Sequence, residues 1–162
     1  MSFRGIALEQ HLQNTMVRIA FVNGKPVYRG LLLRDFSGLR AYLPRLNQWC
    51  EQNPFEPKAI TLTEDYEEFI NKGFYASVFG NLDGIVAEIA SFHGADIDEL
   101  WKIVCVEIER FIDGLPCPLP EDDAQWLRRE AIRRKGFLSM GMDNTGKDIY
   151  IDVANPLQCI KR

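Results

Sequence analysis

Apolar and polar positions change period along the chain, and the changes outline its elements. Met16 to Val22 is rich in apolar and β-branched residues, Asn23-Gly24 supplies two positions that tolerate positive φ, and Val27 to Leu33 is apolar again. This is the pattern of an antiparallel hairpin with a tight two-residue turn. Leu31-Leu32-Leu33 is apolar at successive positions, so the returning strand is expected to be covered on both faces. Ahead of the hairpin, residues 5–15 read as a short helix or helical turn, with Ile6, Leu8 and Leu12 on its apolar side.

Past Asp35 the period lengthens. Tyr42 to Gln52 has helical spacing through Leu43, Leu46, Trp49 and Cys50, interrupted at Pro44 and ended by Pro54 and Pro57. Glu64, Asp65 and Glu67 open a helix whose apolar stripe is Tyr66, Phe69 and Ile70. Phe74 to Phe92 continues as one long apolar helix or as a pair broken around Gly80 and Gly84. After Gly94, Ala95-Asp96 starts a helix expected to bury Ile97, Leu100, Trp101, Val104, Ile108, Phe111 and Ile112. Pro116, Pro118 and Pro120 impose a loop. Glu121 to Lys135 then reads as a further helix with cationic last turns, and Phe137 to Val153 as a second hairpin or an extended tail. The fold class is α+β: a mainly helical single domain over 1–162, with a loop and antiparallel hairpin at 4–40 and a helical bundle at 63–135.

Composition narrows the function classes. The chain is 46% apolar and 26% charged with a net charge of -4, a globular balance without the basic stripe that a nucleic-acid backbone binder needs. Cys50, Cys105, Cys117 and Cys159 show no C-x-x-C spacing and only two histidines are present, so free thiols are expected rather than a zinc site. No apolar run approaches the about 20 residues of a membrane span and no leader pattern opens the chain, so a cytoplasmic protein is expected, with no membrane or nucleic-acid partner.

The candidate chemistry lies in the first forty residues. Glu9, His11, Gln13 and Asn14 crowd one turn before the hairpin, and Arg34-Asp35 follow it. An antiparallel return brings Asp35 back beside Asn14. Two carboxylates and a neutral amide oxygen are hard donors of the kind Mg²⁺ prefers when it bridges nucleotide phosphates, which makes Glu9, Asn14 and Asp35 a candidate metal set. Each also has a plain structural alternative: Glu9 as a solvated glutamate, Asn14 and Asp35 as turn caps. Arg34 and Arg40 suit either a solvated surface or bidentate binding of an anion. Trp49, Trp101 and Trp126 read as core or interface anchors, and His93 as a helix-end residue.

The segments G-I-A-L-E-Q-H-L-Q-N-T and L-L-L-R-D-F-S-G-L-R together resemble the paired signature in the C-terminal part of the siderophore synthetases that work without a nonribosomal peptide synthetase, the aerobactin synthetase (IucA/IucC) family. The likeness is dense over residues 4–40 and extends to about residue 157. Departures are Arg4, where the family has His or Tyr, and Met140-Gly141-Met142, where it has Met-Arg-Leu. The resemblance implies the palm-like C-terminal fold and ATP with Mg²⁺ as cofactors, the metal held by Glu9, Asn14 and Asp35. It implies His11 in contact with nucleotide phosphate or the bound carboxylic acid. From their place beside a site for anions, Arg40 joins His11 as a candidate catalytic residue and Arg34 and Gln13 join it as candidates at the nucleotide, Gln13 otherwise orienting His11 or only satisfying backbone. Lys135 matches a lysine of the family's tail.

By the same resemblance, the substrates are a carboxylic acid such as citrate, activated as an acyl-adenylate, and an amine or alcohol nucleophile. Family synthetases are several times longer, so the chain is expected to correspond to a C-terminal fragment. It would pair with a missing N-terminal region that grips the ATP phosphates, and would be inactive alone. A homodimer stays open. Two rivals stand beside this reading: a kinase-like phosphotransferase remnant, and a non-enzymatic siderophore-handling or assembly module.

Overall fold

The computed structural model describes residues 4–56, 58–135 and 149–160, and in them the chain is α+β as expected. It groups into two compact units, one ending at Leu82 and one beginning at Asp83, where the sequence suggested one domain. None of the described helices is long and apolar enough to cross a membrane.

The first unit runs through β1 (Ile6–Ala7), a 3-10 turn (Leu12–Asn14), β2 (Thr15–Val22), β3 (Lys25–Leu33), β4 (Arg40–Tyr42), α1 (Leu43–Trp49), β5 (Leu62–Thr63), α2 (Tyr66–Phe74) and a π-helical segment (Tyr75–Leu82). The stretch expected to be helical at 5–15 is thus mostly extended. Gly5 takes φ +81, and a Cβ there would meet Leu46 N at 2.8 Å, so the chain turns at this glycine and pairs Ile6 with Ala41. Only the last residues before the hairpin coil.

β2 and β3 form the predicted hairpin, with Asn23 at φ 51 and Gly24 at φ 75 in the turn. Its register shifts between Arg18 and Ile19, a bulge accompanied by Gly30 at φ +116. Leu31 and Leu32 are exposed within this unit, against the expectation of a strand covered on both faces.

The core of the unit sits where α2 covers the three-stranded sheet β1-β4-β5. Asp65 caps α2 by accepting from Glu67 N (2.8 Å) and Glu68 N (3.3 Å). Phe69 and Ile70 then point inward with Ala7, Ala41 and Leu46, all nearly inaccessible. Each large side chain so buried contributes about 1.5–3 kcal/mol. Tyr42 stacks on Phe69 at 5.3 Å, and the Arg45 guanidinium lies 5.3 Å from the Tyr66 ring. Pro44 does not interrupt α1; it sits in the first turn, where a missing N–H costs nothing. Trp49 is largely exposed beneath Arg4.

The second unit contains α3 (Asp83–His93), α4 (Ile97–Asp113), α5 (Glu121–Leu127), β6 (Ala131–Lys135) and β7 (Tyr150–Ala154). Gly94 ends α3 at φ +62, and Asp96 caps α4 through Asp98 N and Glu99 N. The helix expected to reach Lys135 stops at Leu127. Ala131–Lys135, expected to be helical, pairs instead antiparallel with Tyr150–Ala154 and buries Ile132, so Arg133, Arg134 and Lys135 lie on a strand; the first strand of the hairpin expected over Phe137 to Val153 falls outside the described residues. Residues 136–148, with Met140-Gly141-Met142, and the Lys135 side chain fall outside the described set.

On α4, Trp101 and Cys105 are buried while Ile97 and Phe111 are exposed. Cys105 is joined to Cys159 in a disulfide, correcting the expectation of four free thiols; the segment after β7 packs back on α4 and brings two cysteines 54 residues apart to a Cα separation of 6.1 Å. Asn155, itself buried, donates to Leu127 O and Arg129 O (2.9 Å each) and accepts from Leu157 N (2.9 Å).

Candidate functional site

The site begins where the hairpin closes. Thr15 pairs with Leu33, and one step beyond, Arg34 N donates to Asn14 O at 3.0 Å while Arg34 Nε donates to Gln13 O at 3.0 Å. Asn14 and Asp35 are therefore neighbours, as the antiparallel geometry requires.

Asp35 takes φ +57, a region that Asp tolerates better than most residues. Its Oδ1 accepts from Ser37 Oγ (2.6 Å) and Ser37 N (3.1 Å). The Ser37 hydroxyl bond, then the Ser37 N–H, hold the carboxyl below its ordinary value; desolvation opposes them, and the Arg34 guanidinium nearby adds to the lowering. Asp35 is an exposed, ionised carboxylate whose Oδ2 accepts no hydrogen bond from the described residues.

Asn14 is the buried member. Its Nδ2 donates to Glu9 O at 3.2 Å and meets His11 Nε2 at 3.3 Å. Because a carbonyl only accepts, the first contact fixes the amide orientation. His11 Nε2 is then the acceptor of the second hydrogen, and the imidazole proton sits on Nδ1. Oδ1 of Asn14 is left without a partner among the described residues.

Glu9 departs from its expected part. Its Oε1 pairs with Lys72 Nζ at 2.9 Å, in a contact where the two side chains are 19% and 11% exposed, and its Oε2 lies where a Cβ on residue 38 would stand, which only glycine permits. Arg40 is likewise engaged: its Nε meets Glu68 Oε1 at 2.9 Å, Nη1 donates to Leu39 O, and Glu68 Oε2 accepts from Thr63 Oγ1 at 2.7 Å. The Gln13 side chain is exposed.

The fold thus joins His11, Asn14, Arg34 and Asp35 around the hairpin base, and turns the carboxylate of Glu9 to Lys72 and the guanidinium of Arg40 to Glu68. Among the described residues no three His, Cys, Asp or Glu side chains converge as a ready metal cage. Lys72, Ser37 and Asn81 are the participants that sequence reasoning missed. Lys72 carried a signal, since it is a charged residue inside the buried run Phe69–Gly73 of α2. Asn81 carried none.

Three comparisons bear on this arrangement. The family described as "Ferric iron reductase FhuF-like transporter" matches residues 1–148. The D-ornithine--citrate ligase of Staphylococcus aureus (strain NCTC 8325 / PS 47) is 31% identical over 114 residues, covering 68% of this chain and 17% of the ligase. Among solved structures, the petrobactin biosynthesis protein AsbB from Bacillus anthracis str. Sterne superposes with a TM-score of 0.77 at 20% identity, over 98% of this chain and 28% of AsbB. That likeness shows the fold alone. The chain spans less than a third of either protein.

Proposed function

This chain belongs to the family described as "Ferric iron reductase FhuF-like transporter", and from that premise we propose that it is the C-terminal catalytic half of an ATP-dependent siderophore synthetase of the IucA/IucC type. The observation that carries the reading is the convergence of His11, Asn14 and Asp35 at the base of the hairpin, in a chain 31% identical over 114 residues to a D-ornithine--citrate ligase. The reaction is activation of a carboxylic acid, citrate or a derivative, as an acyl-adenylate with release of pyrophosphate. An amine or alcohol then attacks the acyl carbon and AMP leaves. The rest of the site comes from polypeptide that corresponds to the remainder of the relatives, and the whole acts in the cytoplasm.

The donor set fits Mg²⁺ in kind. Asn14 Oδ1 and Asp35 Oδ2 are hard oxygens with no partner among the described residues, and Glu9 joins them once its carboxylate leaves Lys72. Bound there, the metal would screen the phosphates from an incoming carboxylate. The chain's own groups do the rest. His11 presents Nδ1–H toward an anionic ligand, Arg34 keeps Gln13 and Asn14 in place and adds positive charge, and Ser37 holds Asp35 ionised. Arg40 enters catalysis only by exchanging Glu68 for substrate carboxylate.

The test is a calorimetric titration with Mg²⁺·ATP, on the native chain and on Asp35→Ala, followed by product analysis with citrate and an amine present. Weak nucleotide binding that Asp35→Ala abolishes supports the proposal. Equal binding by both proteins refutes it, and formation of ADP instead of AMP transfers the reading to a phosphotransferase. The family's description favours a second reading, a ferric-siderophore handling module. That reading calls for a cysteine set able to hold a cluster, and the joining of Cys105 to Cys159 commits two of the four cysteines to each other.

A further inference from the structure

The segment Tyr75–Leu82 is π-helical, a rare geometry in which each turn takes one residue more than an α-turn. It follows α2 directly, and its extra residue sets Gly80 and Asn81 out of the register that α2 would have continued. Both residues then meet the site loop. A Cβ on Gly80 would stand 2.9 Å from His11 Cβ and 3.4 Å from His11 Cα, so the absent side chain is what allows His11 to lie against the helix. Asn81 Nδ2 donates to Gln10 O at 3.2 Å and to Thr15 Oγ1 at 3.3 Å. Those two acceptors flank His11 and Asn14 on either side.

We propose that Asn81 is a positioning residue for the candidate site, its side-chain amide bracketing the turn that carries His11 and Asn14, with Gly80 admitting His11 against the same π-turn. The physical case is one of supply. The 3-10 turn Leu12–Asn14 is a single short turn, and such a turn is marginal by itself. It is anchored on the hairpin side by Arg34, through the carbonyls of Gln13 and Asn14. On the opposite side Asn81 ties it through Gln10 O and Thr15 Oγ1. Removing them takes away part of the hold on His11 and Asn14 and so loosens their placement relative to Asp35. The consequence for nucleotide binding rests on the ligase reading; the bracketing itself does not.

The experiment is nitrogen-15 NMR of the full chain, following the Asn14 side-chain amide and the His11 ring nitrogens in wild type, Asn81→Asp and Thr15→Val. Asn81→Asp keeps the shape but has no N–H to give, so it removes the donor without opening a hole. The bond to Gln10 O is lost outright, and the Thr15 hydroxyl can only turn to donate to the new carboxylate, so the bracket weakens about five- to tenfold. The Asn14 amide protons should exchange with water about five- to tenfold faster, and the His11 nitrogens should move toward values for an equal mixture of tautomers. Thr15→Val removes one acceptor and should show a smaller change in the same direction; it also decides the matter if Asn81→Asp does not fold. Thermal midpoints within a few degrees of wild type would separate positioning from general loss of structure. Unchanged Asn14 and His11 signals in Asn81→Asp, or in Thr15→Val if Asn81→Asp is unfolded, would overturn the assignment. A parallel Mg²⁺·ATP titration keeps the two ideas apart: altered NMR signals together with nucleotide binding that Asp35→Ala leaves unchanged would sink the ligase reading and leave Asn81 its role.

Discussion

Lys72→Met removes the ammonium that faces Glu9. At 2.9 Å the two charges attract by about 6 kcal/mol at an effective dielectric of about 20. Dehydrating two largely buried ions costs several kcal/mol each and offsets most of that gain. Deleting one partner is a different matter, because the surviving carboxylate stays in place without compensation. Fully buried pairs lose about 3–5 kcal/mol on such a deletion and exposed pairs about 0–1. With side chains 11% and 19% exposed, the Lys72–Glu9 pair lies nearer the buried limit, and Lys72→Met is expected to cost about 2–3 kcal/mol.

Urea denaturation of wild type, Lys72→Met, Glu9→Gln and the double variant measures this. The double variant should be more stable than the sum of the single losses predicts, by at least about 1 kcal/mol. Magnesium adds a second axis. If Glu9 exchanges Lys72 for a metal, Mg²⁺ should raise the midpoint of Lys72→Met more than that of wild type, and should do less for the double variant, which keeps Asn14 and Asp35 but lacks the Glu9 carboxylate. Additive single losses would show that the contact carries no net coupling. An Mg²⁺ response identical in all four proteins would remove Glu9 from the metal set.

Three further outcomes are expected. Ser37→Ala should raise the Asp35 carboxyl toward its ordinary value, since the Ser37 hydroxyl is the first cause of its lowering. By the sign of that shift, Asp35 adds stability above the ordinary carboxylate value that is lost as pH falls through its lower folded one. NMR titration of the Asp35 carboxyl in both proteins reads the change, and an identical midpoint would contradict it. Gly38→Ala places a methyl on Glu9 Oε2, and should cost about 1–3 kcal/mol while shrinking the Lys72–Glu9 coupling in the same denaturation cycle. Asn155→Ala strips the bonds to Leu127 O, Arg129 O and Leu157 N, and should cost about 2–4 kcal/mol in thermal or urea unfolding; a loss under about 1 kcal/mol would mean water takes over the carbonyls.

What was legible in the sequence is local. Asn23-Gly24 announces the hairpin because only a turn with two positive φ values suits it, and Asp65 and Asp96 announce helix starts because a short acceptor there meets unpaired N–H groups. The proximity of Asn14 and Asp35 followed from antiparallel return alone. What was not legible depends on partners far along the chain. Ala131–Lys135 has nothing in its composition against a helix; pairing with Tyr150–Ala154 makes it a strand. The Cys105–Cys159 bond joins α4 to the segment after β7, and no spacing rule reaches over 54 residues. Leu31 and Leu32 are apolar enough for an interior, yet the hairpin is a two-stranded sheet by itself and leaves them exposed. The Lys72 partner of Glu9 lies far along the chain on α2 and is not visible from the motif.

The holding contacts of the site loop share one property. Asn81 grips Gln10 O, Arg34 grips Gln13 O and Asn14 O, and Asn14 grips Glu9 O. These four acceptors are backbone carbonyls, and Asn81 holds the Thr15 hydroxyl besides. Asn14 Oδ1, His11 Nδ1 and Asp35 Oδ2 are spared that duty and have no partner among the described residues. Binding at these atoms therefore need not break a structural bond first, except at Glu9, where the Lys72 pair must open. If the site takes a divalent ion as proposed, its affinity would depend chiefly on how readily that one ion pair yields, which ties the metal question to the same Lys72–Glu9 coupling that denaturation measures.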